Sequence, residues 1–374
     1  MRDLDYVLPL RWSGDDRLEE LTAYLRRLST YARVVVVDGS APGLFDRHAR
    51  AWRGLAEHVR PDADLDFLNG KVAGVITGLR RAVAEHVVIA DDDVRYDEAA
   101  LARVDALLGE ADLVRPQNHF RPLTWYARWD TARTLLNRAF GADYPGTFGV
   151  RRSAFLAMGG YDGDVLFENL ELIRTVRAYG GRECRPRDLF VARVPPGLDR
   201  FVSQRVWQAY DDLAQPARMA LFLSILPALT VTLWRRPRAV LGCAVLVTAL
   251  AEIGRRRGGG CRVYPFTSVL LAPGWVLERA VCSWVALGAR LTGRGIPYWG
   301  RRIHVAAHSV RRLSRAGDRP GRRPGLERQP GGEGSPAARK PTTLCDPSQN
   351  GLTDDRPQRH SATVARPGSI GRPS

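Results

Sequence analysis

From residue 5 to about residue 200 the sequence alternates short apolar runs with amphipathic stretches, and this alternation limits the possible folds more than any other feature. Tyr6–Leu10, Val34–Val37, Val87–Ala90 and Leu113–Arg115 are bounded by polar or turn residues, which predicts buried parallel strands. Between them, Asp15–Leu28, Leu44–His58, Gly70–Glu85 and Glu98–Leu108 carry apolar residues three and four apart, which predicts helices. Strands and helices alternating at these lengths predict an α/β fold around a parallel sheet. Such sheets bind ligands at the carboxyl ends of their strands, so the residues after each strand are the first functional candidates.

Two strands end in acid. In VVVVDGS, residues 34–40, the strand delivers Asp38 to a turn made by Gly39 and Ser40. A carboxylate there can accept hydrogen bonds from a nucleotide base or ribose, although an ordinary Asp-Gly turn has the same sequence. In VVIADDDVRYD, residues 87–97, Asp91, Asp92 and Asp93 follow one another. Three carboxylates at one strand end are costly unless a cation neutralises them. Hard oxygen ligands suit Mg2+ or Mn2+, which in turn bridge the oxygens of a diphosphate; a solvated loop capping the helix near Asp97 is the plainer alternative. In NGKVAGVITGLRRA, residues 69–82, Lys71 is the only lysine before residue 340. It stands at a helix start, where a phosphate meets both amide dipoles and an ammonium, unless it is simply a surface lysine.

The net charge of +16 suggests an anionic partner, nucleic acid or membrane, and its distribution decides between them. Residues 1–216 hold 30 basic and 32 acidic side chains, residues 217–310 hold 13 and 2, and residues 311–374 hold 13 and 6. The basicity therefore surrounds the apolar runs 219–234 and 239–251 and the stretch Tyr264–Ala289, which predicts adhesion to anionic lipid and no nucleic-acid partner. Sixteen and thirteen apolar residues fall short of the roughly 20 that span a bilayer, and the positive-inside rule opposes translocating Arg235–Arg238 at the tip. Two spans, a shallow re-entrant hairpin with an interfacial third helix, and a buried helical domain all remain open. Of the 56 basic residues 54 are arginine, as a GC-rich genome would give. Five scattered cysteines predict a reducing compartment with neither a disulfide framework nor a zinc site. The opening MRDLDYVLPLRW has no signal-peptide pattern. After His308 the sequence becomes Arg-, Gly-, Pro- and Ser-rich, which predicts a disordered tail.

The order VLPLRW, VVVVDGS, NGKVAGVITGL, ADDDV, GVRRSAFLAMGGYD, FENLELIRTV and SQRVWQAYDDLAQP resembles family 2 inverting glycosyltransferases of GT-A fold with a C-terminal membrane-associated part. This group includes ceramide glucosyltransferases and polysaccharide synthases, and the resemblance covers residues 5 to about 216. It implies a nucleotide-diphospho-sugar transferase domain of Rossmann-like type over 1–216, a membrane-associated helical region over 217–310 and a tail over 311–374. It also implies that Asp38 contacts the nucleotide and that Asp91 and Asp93 form the Asp-x-Asp pair. Asp93 would then hold Mg2+ or Mn2+ against the diphosphate, with Asp91 and Asp92 beside the nucleotide and Lys71 near its phosphates. The loop Gly159–Asp162 would close beneath the donor sugar, with Asp162 on the acceptor side.

Two departures bear on mechanism. The family's Glu-Asp pair reads Glu168-Asn169 here, and an amide cannot take a proton from a hydroxyl. Glu168 or Glu171 would do that work, unless the acceptor is already an anion such as a polyprenyl phosphate. The Gln-x-x-Arg-Trp motif reads Gln204-Arg205-Val206-Trp207-Gln208, so Trp207 stands where the arginine belongs and Arg205 points to another helix face. Gln204 and Trp207 remain acceptor or sugar contacts, although Trp207 also suits an interfacial aromatic belt. Trp125, Tyr126 and Trp129 would line a sugar or lipid groove, or belong to the core. The implied activity is metal-dependent transfer from a nucleotide sugar to a lipid or glycan acceptor at the cytoplasmic face of the cell membrane, as in cell-envelope synthesis. A polyprenyl-phosphate glycosyl synthase and a non-catalytic, membrane-anchored sugar-nucleotide-binding protein are the alternatives.

Overall fold

The computed structural model describes residues 3–317. In chain order its elements are β1 (Leu4–Leu10), α1 (Leu18–Leu28), β2 (Arg33–Asp38), α2 (Pro42–Ala51), β3 (Glu57–Val59), α3 (Gly70–Arg81), β4 (His86–Ala90), β5 (Val94–Arg95) and α4 (Glu98–Leu108). There follow β6 (Leu113–Val114), β7 (Gln117–Phe120), α5 (Trp125–Phe140), β8 (Thr147–Arg151), α6 (Arg152–Ala157), α7 (Glu168–Ala178), β9 (Glu183–Cys184), β10 (Phe190–Arg193) and α8 (Leu198–Tyr210). The last third contains α9 (Pro216–Arg235), α10 (Pro237–Arg256), α11 (Phe266–Leu270), α12 (Ala272–Leu291), β11 (Ile296–Tyr298), β12 (Arg301–Ile303) and α13 (Val310–Gly317).

A seven-stranded sheet runs in the order β3-β2-β1-β4-β8-β6-β9. All its pairings are parallel except those of β8 with β4 and β6. The alternation predicts the α/β architecture and the resemblance its Rossmann-like type; the antiparallel β8 makes the sheet mixed where a parallel one is expected. Strand β1 is buried along its whole length because it lies inside the sheet with helices on both faces. Tyr6 and Leu8 point into one core with Leu21, Leu25 and Val104, whereas Val7 points into the other with Val72, Val75 and Leu79. Helix α3 lies unusually close to β1. A Cβ at Gly78 would stand 2.2 Å from Val7 Cγ1, so only glycine permits this approach.

A second, three-stranded sheet, β5-β10-β7, extends past the end of β4. Its central strand ends at Arg193, and Val194 N donates to Asp93 O at 2.7 Å, which fixes that end against the aspartate loop.

The structure differs from the sequence expectations at several places. The helix expected over Leu44–His58 stops at Ala51, since Gly54 adopts a left-handed φ of 76°; the chain then re-enters the sheet as β3, carrying His58. Helix α1 starts at Leu18, later than Asp15, and α3 ends at Arg81, earlier than Glu85. Cys184 is disulfide-bonded, which the scattered cysteines do not predict, while Cys243, Cys261 and Cys282 are free. Residues 311–317 of the expected tail belong to α13, and 318–374 lie outside the described residues.

Helices α9 and α10 are each 20 residues long, because helix extends beyond the apolar runs into the flanking arginines. At 1.5 Å per residue each reaches roughly 30 Å, the thickness of a hydrocarbon core. Only 11% of either apolar window is buried, so they are not the core of a helical domain, and by length and composition alone they are weak evidence for membrane association. They dock at their base: Met219 and Phe222 of α9 and Ala251 and Gly254 of α10 are buried, and Gly254 packs on Leu135 of α5. Leu233, Trp234, Leu241, Val245 and Leu246 are exposed nearer the tip.

Beyond α12 the chain returns to the half that carries the seven-stranded sheet. Leu166 N and Phe167 N donate to Val305 O and Ala306 O at 3.0 and 2.8 Å, and Tyr298 Oη donates to Asn69 Oδ1 at 2.9 Å. The last part of the region expected to be membrane-associated over 217–310 thus packs against the N-terminal, sheet-bearing half.

Candidate active site

The carboxyl end of β4 gathers charge from four elements. Asn69 caps α3 by accepting a hydrogen bond from Lys71 N at 3.2 Å, so Lys71 sits in the first turn. Its Nζ lies 2.5 Å from Asp91 Oδ1 and 2.7 Å from Glu168 Oε1 at the start of α7. Arg193, from β10, donates through Nε to Asp93 Oδ2 at 2.8 Å and through Nη2 to Asp91 Oδ2 at 3.3 Å. A Cβ at Gly146 would stand 2.5 Å from Asp91 Oδ2 and 3.1 Å from the Arg193 guanidinium, so this residue must be glycine for the pair to form.

The electrostatics follow from burial. Desolvation alone would lower the Lys71 ammonium, but Asp91 and Glu168 raise it above its ordinary range. Burial would raise Asp91, yet Lys71 and Arg193 hold it below the usual carboxylate range. Asp93 goes the other way: burial raises it, and Arg193 only partly offsets this. Asp93 Oδ1 is buried and has no hydrogen-bond partner among the described residues.

The remaining expected residues are divided between this cleft and other tasks. Asp92 turns away, accepting from Trp12 Nε1 at 2.7 Å and pairing with Arg17 at 3.4 Å. Asp38 is fully buried; Oδ1 accepts from Ser40 N at 2.8 Å, and Oδ2 accepts from His48 Nδ1 and His58 Nε2 at 2.6 and 3.0 Å. Burial would raise this carboxyl, but the donors from His58, Ser40 and His48 hold it at about 2. Asn169 keeps its amide nitrogen on Pro145 O at 3.1 Å and its oxygen 3.4 Å from Lys71 Nζ. Glu171, one turn beyond Glu168, is fully buried and spends both oxygens on His308, on its N at 2.7 Å and its Nδ1 at 2.9 Å. Asp162 lies beside that pair, 3.6 Å from His308 Nδ1. Trp207 packs against Tyr298 with ring centres 5.9 Å apart, and Gln204 makes no side-chain hydrogen bond among the described residues. Arg205 is held by Asp130 at 3.2 Å, outside this charge cluster. Trp125 and Trp129 line a cavity of about 280 Å³ with Phe201, Arg205, Glu278 and Cys282.

Sequence reasoning missed Arg193, His48, His58 and Tyr298. The one available signal was that VVVVDGS is followed within 20 residues by two histidines; nothing in sequence brings Arg193 to Asp93, 100 residues earlier.

The residues present fit a divalent cation. Asp91 and Asp93 supply hard oxygens, and among the described residues the buried Asp93 Oδ1 has no hydrogen-bond partner. Two separate groups, Asp38–His48–His58 and Asp162–Glu171–His308, also have ligand atoms within 4.8 Å of one another, but hydrogen bonds already satisfy the oxygens that face their histidines.

No protein-family model matches the chain, and no curated protein matches it in sequence. Solved structures do. A mannosyltransferase from Pyrobaculum calidifontis in complex with GDP-Man and Mn2+ is 20% identical over 76% of this chain and 88% of its own, with a TM-score of 0.45. A glucosyl-3-phosphoglycerate synthase from Mycobacterium tuberculosis, in complex with Mn2+, UDP and its product, is 15% identical over 56% and 78%, with a TM-score of 0.37. S. aureus TarS 1–349 is 13% identical over 80% and 95%, with a TM-score of 0.39. Likenesses of this degree leave the chemistry to the chain's own residues.

Proposed function

We propose that this chain is a metal-dependent, inverting glycosyltransferase of the family 2 type. It moves a sugar from a nucleoside-diphosphate donor to a membrane-associated lipid or glycan acceptor. The observation that carries this reading is the convergence of Asp91, Asp93, Lys71, Arg193 and Glu168 at the carboxyl end of β4. Three carboxylates face two cations there, leaving one negative charge. A divalent cation reverses that sign and makes the site attractive to a diphosphate.

Asp91 and Asp93 would hold Mg2+ or Mn2+, which supplies Lewis-acid stabilisation of charge on the leaving diphosphate. Lys71 and Arg193 orient both carboxylates and offer ammonium and guanidinium groups to phosphate oxygens. Asp38, fixed by His48 and His58, shapes the nucleotide end at the carboxyl terminus of β2. Trp207 and Tyr298 give a paired aromatic surface on the acceptor side, suited to a sugar face. The exposed apolar hairpin α9–α10 supports attachment to the cell membrane with the catalytic half on the cytoplasmic face. That arrangement shortens the search for a lipid acceptor.

The test is turnover of UDP-glucose and GDP-mannose by the purified chain in detergent with Mn2+. Sugar release that disappears in Asp93→Ala is expected; undiminished release in that variant would refute the reading.

A further inference from the structure

We propose that Asp211 takes the proton from an attacking acceptor hydroxyl, the task that Asn169 cannot perform. The inference rests on the glycosyl-transfer reading above and narrows its acceptor to a hydroxyl.

The other acids of the cleft are engaged. Glu168 is paired with Lys71 at 2.7 Å, Glu171 is spent on His308, and Asp91 and Asp93 are held by Lys71 and Arg193. Asp212 is paired with Arg218 at 2.9 Å. Asp211 is the exception: Oδ1 is buried without a partner, and the side chain makes no hydrogen bond or ion pair among the described residues. Its place is fixed, because it follows Tyr210, the last residue of α8, and begins a single 3-10 turn, Asp211–Ala214. That turn packs with Leu166, Leu170 and Phe167 around the start of α7, the helix whose first residue is Glu168. Arg174 Nη2 ties the two elements by donating to Ala214 O at 2.9 Å.

Burial raises the Asp211 carboxyl, the charges of Glu168 and Asp212 add to this, and those of Arg279 and Arg133 oppose it. Burial is the larger effect, and with the two acids it lifts the Asp211 carboxyl well above the ordinary range. A carboxylate with raised proton affinity is a better base near neutrality than one held low by a cation.

In the step, the acceptor O–H proton passes to Asp211 while the acceptor oxygen bonds to the anomeric carbon. The bond from that carbon to the β-phosphate oxygen breaks, and its electron pair leaves with the nucleoside diphosphate. One proton is gained by Asp211 and one negative charge by the leaving group, beside Lys71 and Arg193.

The experiment uses the full chain in detergent with Mn2+ and the better of UDP-glucose and GDP-mannose. Donor hydrolysis, in which water is the hydroxyl acceptor, is compared with transfer to sodium azide, an anion that needs no deprotonation. Asp211→Asn is expected to lose roughly 100-fold or more in hydrolysis, the scale of general-base catalysis. Azide transfer and calorimetric binding of the nucleoside diphosphate should stay near wild type. Unchanged hydrolysis overturns the inference, and so does a parallel loss of azide transfer with nucleotide binding intact. If the wild type binds neither UDP nor GDP, the transferase reading falls as well. Should Asp211→Asn fail to fold, Asp211→Ser is put through the same two reactions: hydrolysis lost with azide transfer kept supports the assignment, and undiminished hydrolysis overturns it.

Discussion

Tyr298 and Asn69, 229 positions apart, are joined by a 2.9 Å hydrogen bond from the phenol to the amide oxygen. The same oxygen accepts from Lys71 N, so the last hairpin holds the cap of the helix that presents Lys71 to Asp91 and Glu168. A segment that follows the apolar helices therefore supports the charge cluster of Lys71, Asp91 and Glu168.

Tyr298→Phe keeps the ring that packs on Trp207 and removes only the hydroxyl. A stability loss of about 1 kcal/mol is expected, with a larger proportional fall in donor turnover than in nucleotide affinity. Chemical denaturation and steady-state kinetics check both.

Arg193→Ala leaves Asp91 facing Lys71 alone and Asp93 facing no cation. Stripping one partner from a buried network costs about 3–5 kcal/mol. Arg193→Lys keeps the charge but not the fork that serves both carboxylates, so its unfolding midpoint should fall between wild type and Arg193→Ala.

Asp38 supplies a pH dependence with a definite sign. Its carboxyl sits at about 2 against an ordinary 3.8, so its stabilisation is complete above the ordinary value and is lost as pH falls toward 2. The span corresponds to about 2 kcal/mol. Asp93 is raised and works in the opposite sense, so the comparison is best made in Asp38→Asn. Urea unfolding at pH 6 and at about pH 3 should show a smaller loss in that variant than in the wild type.

Mn2+ binding in the presence of UDP should depend on Asp93. Asp93→Asn retains shape while losing the charge that faces Arg193, and the calorimetric heat of Mn2+ binding is expected to vanish. Persistence of that heat would move the metal elsewhere, with Asp38, His48 and His58 the next group to examine.

Much of this was legible in the sequence because it is written in local patterns. β1, β2 and β4 lie where apolar runs end in polar residues, and Asp91 and Asp93 follow from the strand that delivers them. Lys71 stands out in the sequence because it is a rare residue at a helix start. What was not legible depends on chain segments meeting across the fold. Arg193 ends a four-residue strand in a separate small sheet, and arginine is too common here to draw notice. Glu171 looked as suitable as Glu168, since sequence does not reveal that His308 covers it. The helix expected through His58 broke because Gly54 permits a left-handed turn, and that break puts His58 on a strand beside Asp38.

The return of the chain through Tyr298 also sets an order of events during synthesis. Residues 69 to 193 can supply the lysine, the aspartates and the arginine long before residue 298 has been made. Until the apolar hairpin α9–α10 has been translated and has found its surroundings, the cap of α3 lacks its distant partner. The cap of the helix that presents Lys71 is therefore completed only by chain made after the apolar hairpin.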